Sequence, residues 1–404
     1  MTGATDWRYV KRRPDTRHFC LAGSGTLTRG TRWEDAVPRT SHTRPRRAII
    51  SGHLLQLARA SAGVTQEGLA EDLLVSRTAV QSWESGRRPL SAMSQGDALR
   101  LRQRLLTLGA DAAILDLFAP AAEADFILAA ILDLPAASVD ISRHPLGWTV
   151  LRQTVAELVV WAASGQTPPA CAGLAAPERR GPQSDRPEMD PGEPRQFFDA
   201  LHVIADRARG RHSLLHRQAV FLSSADPNAD ASTWTRPDPA VTDHFRKPMG
   251  WTPHWPAARS FAVARARAGD PEPLLDFIKH ADAAWEHANL AYWAYWCGDL
   301  ATQPNDAFMA APEGRRWRGT RLFAHLSRRL NPGSSRTELN VRSLHSLVLA
   351  RPSLAGADPD AAARVLAGAE PLLDSGDLTA RAEAELRSVH YALTVLTRIT
   401  KERP

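Results

Sequence analysis

Arg77, Thr78, Gln81 and Ser82 fall within six residues of one another. At 100° per residue they share the face of a short helix opposite Val80 and Trp83. An arginine fork and a glutamine amide each hold paired hydrogen-bonding groups in one plane. That geometry matches the O6/N7 edge of guanine and the N6/N7 edge of adenine, each good match giving ~1–3 kcal/mol of discrimination. Arg87 and Arg88 follow directly and suit backbone phosphates, which position a protein without reading sequence. A solvated basic loop is the plainer reading of that pair.

Other residues with chemical potential lack the partners a reaction needs. Gly25 and Gly30 have phosphate-loop spacing, but Thr31 stands where the lysine belongs and no strand precedes them. His212 and His216 lie four apart, without the catalytic glutamate of a zinc protease or a third ligand. Asp276, His280 and His287 could share a helix face, but only spacing supports them as an acid/base site. Cys20, Cys171 and Cys297 are odd in number and far apart, which argues against a disulfide framework and for a reducing cytoplasm. The expectation is no catalytic residue, no metal and no cofactor: not an enzyme. One aromatic stretch remains, with seven of the twelve tryptophans between Trp234 and Trp317. Most such rings build cores. A pocket is the sharper reading, with Trp285, Asn289, Tyr292, Trp293 and Trp296 as candidate walls, His287 and Arg315 as polar groups, and Trp251 and Trp255 in the irregular stretch before it, for a small molecule or a peptide.

The elements that must position the first group lie between Ile49 and Pro89. Ile50, Leu54, Leu57 and Ala58 form one apolar stripe, and Gly63 can stop that helix. Thr65 is a good cap for a second helix burying Leu69, Ala70 and Leu73. Ser76 caps a third, Ser76–Ser85, which buries Val80 and Trp83. Two short helices joined by a tight turn after a longer first helix make a helix-turn-helix, whose second short helix enters the major groove.

The same residues carry a resemblance. Leu55, Arg59, Gly63, Thr65, Gln66, Leu69, Ala70, Ser76, Val80, Trp83, Glu84 and Gly86 match, without a gap, the pattern of the phage-repressor/Cro-like (XRE-type) DNA-binding domain. The resemblance implies that Gln66 braces a phosphate and the recognition helix. It also implies a structural salt bridge from Arg59 to Glu84, whose loss of one partner would cost ~3–5 kcal/mol. Leu74 departs from the pattern, since the family often has glycine there. A left-handed leucine costs ~1–2 kcal/mol, so either the turn differs or packing of the side chain compensates.

Length and charge set the frame. At 404 residues the chain should hold two or three domains. Hydrophobic residues at 43% and charged residues at 23% exclude a disordered or fibrous protein. No apolar run reaches the ~18–20 residues of a membrane span, and the N-terminus lacks the apolar stretch of a secretory signal. Residues 1–109 hold 18 Lys+Arg against 9 Asp+Glu, a net of +9, whereas the rest nets −3. A basic head on a near-neutral body suits a nucleic-acid-binding module.

Strand signals are nearly absent, so the chain reads all-α: a lambda-repressor-like head followed by a helical C-terminal region. Helical patterns at Arg315–Leu330 with Glu338–Leu349, and Ala361–Leu373 with Thr379–Ile399, suggest an α-solenoid resembling tetratricopeptide repeats, although the full 34-residue pattern is missing. The segments are read as a flexible basic arm (1–45), the helix-turn-helix domain (46–109), a helical extension (110–164), a linker with seven prolines (165–195) and a helical sensing or oligomerisation domain (196–404). Just ahead of the first helix, Arg44, Arg46 and Arg47 could reach the minor groove, although an ordinary disordered tail is the plainer reading. The expected function is a cytoplasmic, bacterial, sequence-specific transcriptional regulator of double-stranded DNA. It would act as a homodimer over two half-sites, with a small-molecule or peptide effector on its C-terminal region. The alternative is an antitoxin-like or scaffold protein that anchors on DNA and binds a protein through its helical face.

Overall fold

The computed structural model describes residues 48–134, 140–172, 184–209, 212–228, 252, 254–267, 269–300 and 317–401. The basic arm at 1–45, the glycines at 25 and 30, Trp251 and Arg315 lie outside them. Among the described residues all regular structure is helical, with no strand. The first seven helices are α1 (Ile49–Ser61), α2 (Gln66–Leu73), α3 (Arg77–Glu84), α4 (Gln95–Thr107), α5 (Ala112–Asp116), α6 (Phe118–Leu132) and α7 (Gln153–Ser164). After them come α8 (Glu193–Ala208), α9 (Ser213–Ser223), α10 (Trp255–Arg267), α11 (Glu272–Lys279), α12 (Ala283–Trp296) and α13 (Thr320–Ser327). The chain ends in α14 (Thr337–Ala350), α15 (Leu354–Ala357), α16 (Pro359–Ser375) and α17 (Ala380–Lys401).

Local chemistry explains six of the helix starts. The side chains of Thr65, Ser76, Ser94, Asp111, Asp282 and Asp358 each accept a backbone N–H in the first turn of the helix that follows. Helix α1 has no such cap of its own, because its cap position is Ala48. Its cap comes from Asp125, on α6. Ile50 N–H donates to Asp125 Oδ1 at 2.9 Å, Ser51 N–H to Oδ2 at 3.0 Å and the Ser51 hydroxyl to Oδ2 at 2.6 Å. A carboxylate at a helix N-terminus satisfies otherwise orphaned donors and meets the positive end of the dipole. Burial raises the Asp125 pKa to about 6, against the opposing pull of its bonds to Ser51 and Ile50.

The apolar core explains how far the head extends. One cluster runs from Ile49 through Leu105, Ile127, Val159 and Trp161 to Phe197 and Leu222. It passes without a break through the positions 109/110 and 164/165, where helical patterning and composition place segment ends. Helix α1 packs on α5, α6 and α7, and the His53 ring meets Trp161 edge-on at 5.1 Å. The described parts of the proline-rich stretch also pack, with Cys171 and Pro187 buried. A second cluster joins α13–α17 around Phe323, Leu344 and Leu386. A third holds Trp255, Phe277 and Trp285, rings 5.3–5.9 Å apart. A fourth, small cluster holds Val150, Ala294, Tyr295 and Leu300, and in it the Tyr295 hydroxyl donates to the Val150 carbonyl at 3.1 Å.

Candidate nucleic-acid interface

Helices α1, α2 and α3 form a compact trio, and two glycines set how closely they pack. A Cβ on Gly52 would lie 2.6 Å from the Trp83 carbonyl oxygen and 2.7 Å from that of Glu84. Only a glycine lets α1 cross the end of α3 at this distance. Gly86, at φ +71°, would put a Cβ 2.7 Å from the Ala48 carbonyl carbon, and its own carbonyl accepts the Ala48 N–H at 2.8 Å. Sequence reading did not single out Gly52, and its signal, a glycine inside an apolar helical stripe, is weak.

The turn between α2 and α3 is left-handed at Leu74, with φ 55° and ψ 43°. Among the described residues it is the one non-glycine with positive φ. Its side chain is 93% exposed, so packing does not offset the strain. The turn therefore keeps a left-handed residue, with a costlier side chain than glycine in it.

A chain of polar side chains fixes α3 from behind. Arg59 Nε donates to Glu84 Oε1 at 2.5 Å and Nη2 to Oε2 at 3.2 Å, while Nη1 reaches the Val64 carbonyl at 2.7 Å. The two side chains are 11% and 5% exposed, so this is a bidentate, largely dry ion pair. Gln66 Nε2 donates to Glu84 Oε2 at 2.6 Å, and its Oε1 accepts from Gln81 Nε2 at 3.3 Å. Arg59, Glu84, Gln66 and Gln81 thus form one network across all three helices. Gln81 keeps its oxygen and one amide hydrogen for another partner, with the plane of the amide already set.

The remaining site residues sit at or near the surface. Arg77 and Thr78 are exposed and Ser82 is half-buried. Arg77 pairs with Glu67 at 2.5 Å, both more than half exposed, a contact weak enough to exchange for a stronger one. Thr78 Oγ1 lies 2.8 Å from Ser76 Oγ. Arg87 donates to Ser85 Oγ at 3.1 Å, and the Arg88 guanidinium sits 5.9 Å from the Trp83 ring centre. Beside this surface a hollow is bounded by Gln66, Gln81 and Ser85 on one side and by Arg186, Glu188 and Asp190 on the other.

The aromatic candidates separate into two groups. Trp285 is buried among Trp255 and Phe277, and Asn289 is buried with its amide donating to Ser343 Oγ at 2.8 Å. Both are core positions. Tyr292, Trp293 and Trp296 instead line a cavity of about 210 Å³ between α7, α9, α10, α12 and α14. Four arginines that sequence reading missed, Arg259, Arg267, Arg329 and Arg336, line it too. A cue existed: Arg259 falls on the stripe of Ala262, Val263 and Ala266, where a helix normally keeps only apolar residues. Elsewhere His216 Nδ1 bonds the Ala205 carbonyl and His280 Nδ1 that of Asp276. Among the described residues no group of His, Cys, Asp and Glu could hold a metal, and no helix is long and apolar enough to cross a membrane.

Residues 55–93 match the model of a helix-turn-helix family, which covers α2, α3 and most of α1. No curated protein and no solved structure matches the chain.

Proposed function

We propose that this chain, a DNA-binding regulator with a phage-repressor/Cro-like helix-turn-helix head, reads a specific double-stranded sequence through α3. The proposal extends to an effector acting through the helical C-terminal part, to action as a homodimer in a bacterial cytoplasm, and to regulation rather than catalysis. The observation that carries it is the Arg59–Glu84–Gln66–Gln81 network, which holds one base-reading amide in a fixed plane while Arg77 and Thr78 stay exposed beside it. Fixing a side chain before contact lowers the entropy lost on binding. Arg77 on guanine and Gln81 on adenine are the base contacts, and Ser82 adds a hydroxyl. Arg87 and Arg88 take phosphates, so affinity falls steeply with salt.

The test is selection of genomic fragments by the full chain beside Arg77→Ala/Gln81→Ala. The reading expects a short motif, repeated about one helical turn apart for a dimer, and lost in the double variant. Salt-sensitive binding without a motif, unchanged in the variant, overturns it and leaves the head a generic anchor.

A further inference from the structure

We propose that the cavity between α7, α9, α10, α12 and α14 binds a small organic anion, a phosphate or carboxylate group carried on a flat ring. The inference rests on the effector reading above and supplies the chemical class that reading lacks.

Charge is the first ground. Arg259, Arg267, Arg329 and Arg336 face a space whose walls hold a single acidic residue, Glu157. Among the described residues, none of the four makes an ion pair. Three other shielded arginines of this chain behave differently. Arg59 is paired with Glu84, Arg342 with both Glu286 and Glu385, and Arg265 with Asp270. A fold that pairs these three guanidiniums and leaves four together here has left room for an anion from outside.

Arg259 is the second ground. It is 5% exposed, and its Nη2 is buried with no hydrogen-bond partner. Its Nε reaches Asn289 Oδ1 at 3.3 Å, and its Cζ lies 4.2 Å from the Tyr292 ring centre and 4.8 Å from that of Trp293. Ring faces soften a buried positive charge without neutralising it. The electrostatics agree. Burial lowers the Arg259 pKa to about 10, and burial with Arg267, Arg329 and Arg259 lowers that of Arg336 to about 10. Neighbouring His325 is pushed down to about 3, by burial first and then by Arg329, Arg328, Arg336 and Arg259. Glu157 does not cancel this field. Burial moves its carboxyl above the usual range, and Gln153 already donates to it at 2.6 Å.

The walls give the ring. Tyr292 and Trp296 lie nearly parallel, 11° between planes, and Phe221 meets Trp296 edge-on at 5.3 Å. A volume of about 210 Å³ suits one ring with one charged group. Position gives the link to the head, because Gln153, Glu157 and Val160 belong to α7, which packs on α1 through Trp161 and His53.

The experiment titrates the full chain, without DNA, with phenyl phosphate, benzoate, inorganic phosphate and benzyl alcohol. Tryptophan fluorescence and calorimetry read the binding. Phenyl phosphate or benzoate should bind, and whichever binds tighter names the charged group. Benzyl alcohol should not bind, and inorganic phosphate should bind more weakly. Arg336→Gln and Arg259→Met should each weaken binding about 10- to 100-fold, the range of one charge-assisted hydrogen bond. Arg336→Gln, at a half-buried position, should also raise the unliganded Tm, because it relieves repulsion; an arginine kept for structure would lower it. Failure of every anion to bind, equal binding in the variants, or a lowered Tm in Arg336→Gln overturns the site, and phosphate binding as tightly as phenyl phosphate overturns the ring. DNA affinity measured with and without phenyl phosphate separates the two claims. Binding with unchanged DNA affinity supports the anion site and overturns the effector reading.

Discussion

The head and the cavity treat the same residue type in opposite ways. In the head, Arg59 is held by both oxygens of Glu84 and by a carbonyl, and the carboxylate passes that order on to Gln66 and Gln81. In the cavity, Arg259 has ring faces and one amide, and Arg336 is repelled by Arg267, Arg329 and Arg259. A completed network fixes geometry. An incomplete one stores unfavourable energy that a ligand can release. The two regions therefore predict opposite responses to the loss of a charge, since natural sites often trade stability for binding.

The largest effect should come from Glu84→Leu, which strands the nearly buried Arg59 guanidinium and should cost about 3–5 kcal/mol in chemical denaturation. Arg59→Leu/Glu84→Leu should recover most of that stability but not specific DNA binding, because Gln66 loses its anchor. Arg329→Gln in the cavity is the counterpart and should cost nothing or stabilise. Equal losses in the two regions would break the comparison.

Gly52→Ala tests whether the order in the head depends on close helix crossing as well as charge. Its Cβ would press on two backbone carbonyls, and neither can rotate away. A loss of about 3 kcal/mol is expected, and DNA affinity measured at a temperature where the variant stays folded should drop because α3 is pushed off its setting. Unchanged affinity would mean that α3 is not fixed by this crossing.

The Asp125 cap makes a prediction in pH. Its pKa is about 6 in the folded chain against an ordinary 3.8, so the folded state holds the proton more tightly. The stability this group contributes is fully present below about pH 4 and is lost as pH rises through about 6. A difference of that size between the folded and unfolded chain sets a ceiling of about 3 kcal/mol. Comparing wild type with Asp125→Asn cancels the other carboxylates. The stability difference should move against wild type between pH 4 and 7, and a flat difference would show a carboxylate already ionised in the fold.

These cases show what a sequence can reveal. The caps Thr65 and Ser76 and the stripe of Ile50, Leu54 and Ala58 act within four residues, so spacing alone locates the head. The Arg59–Glu84 pair spans 25 residues and was legible only through the family pattern. Asp125 caps a helix 75 positions away, and no local rule points from an acid in α6 to the start of α1. The cavity arginines come from α10, from the stretch after α13 and from the start of α14, so their convergence is a property of the fold. Trp285 and Trp296 look alike in sequence, yet one packs in a core and the other, half-buried, faces the cavity. Helical spacing names a face but not the neighbour it meets.

Leu74 gives the smallest prediction and tests the head's order at its one strained point. The residue occupies left-handed backbone with its side chain in water, so it bears the conformational penalty without a packing gain. Leu74→Gly removes that penalty, of about 1–2 kcal/mol, but loosens the unfolded chain by about 0.4–1 kcal/mol. The net expectation is a gain of up to about 1.5 kcal/mol in thermal or chemical unfolding, with DNA specificity unchanged. A loss of stability would mean the leucine side chain makes a contact in solution. A gain accompanied by weaker DNA binding would mean that the strained turn helps set the angle between α2 and α3, and the head would then share the cavity's trade of stability for function.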